Sequence, residues 1–422
     1  MSRRGALILL ILGALCLICG CGQKRASHKN GVVHLEFWNG FSGPDGTTME
    51  RIVREFNKLH PDIQVRMQII PWGTYYDKVT LGLAFGGSPD VFVVHADRLP
   101  EYADRSALYD MDELIRSDSI SAADFMPRPW NAGNWKGVQY AIPLDCHPIG
   151  LYYNTKLFEK AGIVDDAGRA KPPTNLAEFV DAAQKLTIDS NGDGAPEQWG
   201  YVFTWFRTNY YTYLSQFGGD LFTADGRKPA LNSPQAQDSL DLMRDFIYNR
   251  RFAPSPEGQD AWIGFLTGKV AMALEGIYML SSMESQEDLH FAGAPCPVFG
   301  KKPGAWANSH MLVMPADSDP VKREAAWKFI KYLSDNSLKW AEGGQVPVRR
   351  DILESPEFKK LTVQHEFSKQ LPYINYMPSS ISLNQALPFF DAAVEAVLCN
   401  IKPASEALAE ADRRIGEVMS RQ

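Results

Sequence analysis

Hydrophobic periodicity changes twice between Val33 and Ile70, and that change fixes the fold class. Val33, Leu35 and Phe37 alternate with His34, Glu36 and Trp38, the period of a strand. The loop NGFSGPDG follows. Thr47 and Glu50 form a capping-box pair, and Met49, Ile52, Val53, Phe56 and Leu59 recur at helical spacing until Pro61 ends the run. Ile63, Val65, Met67 and Ile69 then alternate again. A strand, a helix and a strand joined so closely form the unit of a parallel sheet, so the expected architecture is α/β.

The next segments extend the pattern. A helix is predicted over roughly Tyr75 to Phe85, and then Val91, Phe92, Val93 and Val94 form a short run with no polar face, as in a parallel strand covered on both sides. Asp97 follows at the end where open α/β sheets hold ligands. Another strand is expected through Ile149, Leu151 and Tyr153. Leu176, Phe179, Val180, Ala183 and Leu186 predict an amphipathic helix started by Asn175 and Glu178, and Ala326, Phe329, Ile330 and Leu333 predict another. No internal period is present, which argues against solenoids and propellers. The 422 residues suffice for two to three average domains or one large two-lobed one. Fifty Asp and Glu against 43 Lys and Arg give a net charge of −7, no broad basic footprint for nucleic acid.

Residues 1–21 read as an export leader outside the fold. Arg3 and Arg4 precede a charge-free apolar run from Ala6 to Gly20, too short to span comfortably as a permanent helix. The run ends in LICGCG, where Ile18, Cys19, Gly20 and Cys21 resemble a bacterial lipobox. Among Cys16, Cys19 and Cys21, only Cys21 follows a glycine, so Cys21 is the expected lipidated N-terminus. The alternative is an ordinary secretory signal cleaved nearby. Residues 22–31, with Gln23, Lys24, Arg25, Ser27, His28 and Lys29, are expected to form a flexible polar tether. No later stretch approaches a membrane span, so the mature body is expected to be soluble, extracytoplasmic and held to a bacterial membrane by its lipid. Cys146, Cys296 and Cys399 are too scattered for a disulfide framework or a zinc motif.

Five segments, FWNGFSGPDG, GGSPDVFVVHADRLPEYADRSALYDMDELI, IPLDCHPIGLYYNTKLFEKAGI, GKVAMALEGIYM and GGQVPVRRDIL, resemble in this order the extracellular solute-binding proteins of ABC sugar importers, family 1, the group that includes maltodextrin binders. They cover nearly the whole mature chain. The resemblance implies a periplasmic-binding-protein-like (type II) fold of two lobes, a hinge crossed more than once, and a carbohydrate, expected to be an oligosaccharide, in the cleft between them. It implies a first lobe of about 32–148 and 309–345 and a second of about 149–308 and 346–422. The chain would act as a monomer that delivers solute to the permease subunits of an ABC transporter, with no catalysis and no required cofactor.

Sugar recognition needs aromatic faces that stack on the apolar side of a pyranose and planar polar groups that bond adjacent hydroxyls. Trp38, Asn39 and Asp45 lie at the end of the first strand and in the loop before the first helix, where backbone N–H groups are available to a ligand. Asp97 and Arg98 match a family position that reaches sugar hydroxyls; the bland reading is an N-cap and a solvated charge. His147 matches a family position near the lobe crossover that often carries a carboxylate, with Asp145 as a substitute acceptor. Asn209 and Tyr210 match the second lobe's cleft surface, while a buried aromatic cluster reads equally well for their stretch. Glu275, Gly276 and Tyr278 follow an apolar run, and the resemblance implies that Tyr278 stacks on sugar. Trp306 and Arg349 complete the candidate set.

In DSNGDGAPEQWG, Asp189, Asn191, Asp193, the Ala195 carbonyl and Glu197 occupy alternating positions of a calcium loop, with Gly194 at its turn. Gly200 stands where the bidentate glutamate belongs. A structural calcium would need another carboxylate; the other reading is a solvated turn.

The competing functional class is a lipid-anchored glycoside hydrolase or lyase, because paired carboxylates in a sugar cleft also serve glycosidases. The sequence contains no HExxH, GxSxG, P-loop or GxGxxG motif. The ordered series of segments favours the binding protein. If Cys21 carries the anchor, the wild-type protein partitions with membranes and Cys21→Ala is released or mislocalised. A variant that fractionates with membranes as the wild type does removes that assignment.

Overall fold

A computed structural model describes residues 28–29, 31–256 and 261–421 of the chain, so the leader and Cys21 lie outside the described residues. The strand–helix–strand unit comprises β1 (Val32–Asn39), α1 (Pro44–Leu59) and β2 (Ile63–Ile69). β1 and β2 are parallel, in register from Val33 opposite Ile63 to Asn39 opposite Ile69. α1 begins before the predicted Thr47. Gly43 is its N-cap, and Pro44 fits the first turn, where its missing N–H costs no intrahelical bond. Residues 28–29 pair antiparallel with the start of β1, so the tether reading of 22–31 is corrected there: ladder hydrogen bonds join these two residues to the sheet.

After α2 (Trp72–Phe85) the chain enters β3 (Val91–His95). Val91 and Val93 join one buried cluster and Phe92 and Val94 another, so the strand is covered on both faces. Its neighbours are β1, parallel, and a strand from much later in the chain, antiparallel. The sheet is therefore mixed where the apolar run suggested a parallel setting. β4 (Ile142–Pro143) ends this first pass, and β5 (His147–Asn154), buried throughout, begins a second sheet.

The second sheet is assembled on β5. α3 (Leu176–Leu186) starts as predicted: Asn175 accepts from the Glu178 N–H at 3.0 Å, and Glu178 accepts from the Thr174 N–H at 2.9 Å. β6 (Val202–Phe203), α4 (Phe206–Phe217) and α5 (Pro234–Tyr248) follow. β7 (Met272–Gly276), β8 (Phe291–Ala294) and β9 (Ala305–Asn308) all run antiparallel to β5. Ser309 alone separates β9 from β10 (His310–Val313), which returns to the first sheet and pairs with β3 and β4. α6 (Pro320–Asp335), β11 (Ile374–Asn375) and α7 (Leu383–Leu398) complete the elements used below.

The strand order is β2, β1, β3, β10, β4 in the first sheet and β11, β9, β5, β7, β6 in the second. The architecture is α/β and two-lobed, of the periplasmic-binding type II kind. The chain passes between sheets at 144–146 and again at Ser309, and Val346 pairs with Cys146 beside the first passage. No helix of the described residues is long and apolar enough to cross a membrane.

The loop before α1 is held close to the helix by Gly46, where an added Cβ would lie 2.2 Å from the Phe41 carbonyl oxygen. A backbone atom cannot swing away as a side chain can. Gly46→Ala should therefore destabilise the protein by about 1–3 kcal/mol. A denaturation midpoint equal to that of wild type would contradict this packing.

Candidate functional site

A cavity of about 900 Å³ opens between the two sheets, within the range of small-ligand sites. One wall comes from the first sheet's strand ends: the Gly40–Asp45 loop, Trp72 and Tyr76 of α2, and His95, Asp97 and Arg98 after β3. The facing wall carries Trp205 to Thr208, Tyr278, Trp306 and one side of α7, including Asn384, Asp391 and Glu395. His147, Asn308, His310 and Gln345 lie where the chain passes between sheets.

Six of the residues singled out in the sequence line this cavity: Asp45, Asp97, Arg98, His147, Tyr278 and Trp306. Asp45 is in the first turn of α1 and accepts from the Gly46 N–H at 2.9 Å; burial pushes its carboxyl up, opposed by nearby His310. Asp97 and Arg98 occupy a short 3-10 turn that re-aims the chain after β3, and the Arg98 guanidinium lies 4.6 Å from the Tyr76 ring centroid. Tyr278 sits in the equivalent turn after β7.

The other seven do not line it. Alternation along β1 turns Trp38 into the cluster that contains Tyr75 and Val79, with the Lys78 ammonium 4.5 Å from its ring centroid. Asn39 is fully buried, its Oδ1 accepting from the Phe41 N–H at 3.2 Å. Asn209 spends its amide inside the lobe: Oδ1 accepts from the Tyr201 hydroxyl at 2.9 Å, and Nδ2 donates to the Trp205 and Leu274 carbonyls. Tyr210 donates to the Ala236 carbonyl at 3.0 Å and stacks on Phe390. Glu275 is buried and accepts from the Gly276 N–H at 2.7 Å. Gly276 acts by absence, since a Cβ there would lie 2.1 Å from Tyr278 Cε1. Arg349 pairs with Asp335 and Asp351, each at 3.1 Å, away from the cleft.

Several lining residues escaped the sequence reading. α4 shows the cleft only its first turn, so Trp205 and Arg207 face it while Asn209 and Tyr210 turn inward. Arg207 binds Asp391 of α7 through two hydrogen bonds, the Nε bond at 2.8 Å. Among the described residues, Gln345 has no hydrogen-bond partner on either amide atom and Asn384 none on Nδ2. Nothing local in the sequence marks those two; for Trp205 the available signal was its place at the head of an aromatic-rich stretch.

Behind the cleft, Asp145 is fully buried and accepts four hydrogen bonds. Its donors are His147 Nδ1 at 3.2 Å, His310 Nδ1 at 2.7 Å, the His310 backbone N–H at 3.1 Å and Trp340 Nε1 at 2.6 Å. Burial alone would raise this carboxyl, but the imidazoles beside it prevail and hold it well below the ordinary range.

The loop from Asp189 to Glu197 uses its carboxylates on its own backbone. Asp189 accepts from the Gly192 and Gly194 N–H groups, Asn191 from Asp193, Asp193 from Ala195, and Glu197 from Ser190. Its three carboxylates do not form a convergent ligand set among the described residues. Asx turns, as in the solvated reading, account for its shape.

Burial pushes the Glu275 carboxyl up to about 7 from its ordinary 4.5. The folded state thus retains a proton that the unfolded chain releases first. The resulting stability is fully present below about pH 4.5 and lost as pH rises through about 7, on the order of 3 kcal/mol in all. Glu275→Gln should flatten the melting temperature over this window and exceed wild type above it. An unchanged slope in the variant would contradict the assignment.

The sequence profile for bacterial extracellular solute-binding protein matches residues 40–339. A maltotriose-binding protein of Pyrococcus abyssi (strain GE5 / Orsay) is 22% identical over 377 residues, covering 87% of this chain and 78% of its own length. An arabinooligosaccharide-binding protein of Bacillus subtilis (strain 168) is 26% identical over 372 residues, covering 84% and 82%. Among solved structures, the ABC substrate-binding protein Lmo0181 from Listeria monocytogenes, in complex with cycloalternan, superposes with a TM-score of 0.79 at 23% identity, covering 92% of this chain and 99% of that one. The profile match runs through both sheets and both passages between them, and the chain belongs to the bacterial extracellular solute-binding protein family.

Proposed function

We propose that this chain is the solute-capturing component of an ABC importer, that its cleft takes a neutral oligosaccharide, and that it delivers this ligand to membrane permease subunits. Trp205 carries the reading: it is 58% exposed in the cleft wall. A rigid ring with an open apolar surface suits the C–H side of a pyranose. Around it stand planar polar groups suited to paired hydroxyls, namely Asp97, Arg207, Asn308 and the amides of Gln345 and Asn384. The relatives named for maltotriose and arabinooligosaccharide, and the neighbour in complex with cycloalternan, support an oligosaccharide over a single sugar. Asp97 belongs to the first sheet's wall and Trp205 and Tyr278 to the second's, so a ligand touching both would favour closure of the cleft. The leader adds an extracytoplasmic location and a tether through lipidated Cys21 to this reading, in which the chain acts as a monomer.

The test is calorimetry of the purified chain against linear and cyclic oligosaccharides, with the glycans analysed afterwards. The expected dissociation constant is roughly micromolar, about −8 kcal/mol, with the glycans chemically unchanged. Efficient turnover would overturn the reading in favour of a hydrolase or lyase. Trp205→Ala should weaken binding by about 0.5–1.5 kcal/mol with little change in melting temperature, because its ring is exposed. Asp97→Ala should cost about 1–3 kcal/mol. Unchanged affinity in both folded variants removes this cleft assignment.

A further inference from the structure

Three histidines from three strands meet at the floor of the cleft. His95 ends β3, His310 begins β10 directly opposite it in the ladder, and His147 begins β5. One ring nitrogen of each lies within 4.8 Å of those of the other two, and among the described residues no other three His, Cys, Asp or Glu side chains converge in this way. His147 and His310 are 3% and 5% exposed.

The hydrogen bonds decide which nitrogen is left over. Asp145 engages Nδ1 of both His147 and His310, at 3.2 and 2.7 Å. An ionised carboxylate only accepts, so each Nδ1 carries the hydrogen and, in the neutral ring, Nε2 keeps its lone pair. On His95, Nδ1 faces the Tyr76 hydroxyl at 2.5 Å, a group that can donate or accept; Nε2 makes no protein hydrogen bond among the described residues and offers its lone pair in the tautomer that carries the hydrogen on Nδ1. A carboxylate behind a histidine is the arrangement that orients metal-binding imidazoles and raises their basicity.

We propose that His95, His147 and His310 bind one divalent transition-metal ion, zinc above all, with Asp145 and Tyr76 as positioning residues. Three imidazoles and no hard oxygen cluster select zinc, cobalt, nickel or copper over magnesium or calcium. Three protein ligands leave a coordination position open. All three histidines line the cleft, so that position meets an oxygen of whatever enters. The ion would also join the first sheet, through His95 and His310, to the second, through His147. This site is independent of the sugar reading. Its rival is a metal-free cluster in which the rings only pack against one another, as His147 and His310 do with centroids 4.4 Å apart and planes tilted by 34°.

The test uses the full chain without a polyhistidine tag, stripped with chelator and titrated with zinc by calorimetry and with cobalt by visible absorption, no sugar being present. One equivalent should bind, and cobalt should develop the absorption of a nitrogen-ligated, low-coordinate ion. His95→Gln and His310→Gln should each abolish that equivalent, and Asp145→Asn should weaken it by about 10- to 100-fold. If the His310 or Asp145 variant fails to fold, His95→Gln decides, because His95 lies outside the Asp145 hydrogen bonds. Substoichiometric uptake by wild type, or full uptake by folded His95→Gln, overturns the site. Oligosaccharide titration of the stripped protein reads the sugar function separately, so either proposal can fail alone.

Discussion

One buried carboxylate fastens the places where this chain changes sheets. Asp145 lies in the first passage, His310 immediately follows the second at Ser309, and Trp340 precedes the return through Val346; all three contribute to the same hydrogen-bonded knot. An ionised group so deep is tolerated only with its lone pairs occupied, and Asp145 has four donors. The knot therefore acts both ways. It keeps the carboxylate ionised, and it fixes two imidazoles and an indole beneath the ligand cleft.

The rest of the cleft is built outward from that floor by short turns at strand ends. β3 and β7 each run into a 3-10 turn, and these turns present Asp97 and Arg98 on one side and Tyr278 on the other. Gly276 leaves room for the Tyr278 ring, and Gly46 lets the Phe41 carbonyl approach the first turn of α1. Buried strands thus supply rigidity, and a few residues just beyond their ends supply the chemistry. That division explains how a stiff scaffold can present an adaptable set of polar and aromatic groups.

The parts legible from sequence were those set by local periodicity and capping. The change of period over 33–70 read out the parallel β1–α1–β2 unit, and Asn175 with Glu178 marked the start of α3. Asp97 lines the cavity as its place just past the end of a two-faced apolar strand suggested. Trp38 was misplaced because alternation shows that a strand has two faces without showing which one α2 covers. Asn209 and Tyr210 were misplaced by the rotation of a helix that shows only its first turn to the cleft. His95 and His310 left no local trace at all. Antiparallel pairing of β3 with β10 makes them neighbours, and that pairing is a property of the topology.

That same pairing bears on how the chain comes into being. β3 is flanked on one side by β1, which precedes it, and on the other by β10, which is synthesised only after every strand of the second sheet except β11. Until His310–Val313 emerges, the first sheet has an open edge in its middle, and the N-terminal part of the chain lacks the contact that would close it. Pairings this distant form slowly, since loop-closure entropy must be overcome before they are rewarded. The lobe that begins first in sequence is therefore among the last to be completed in space.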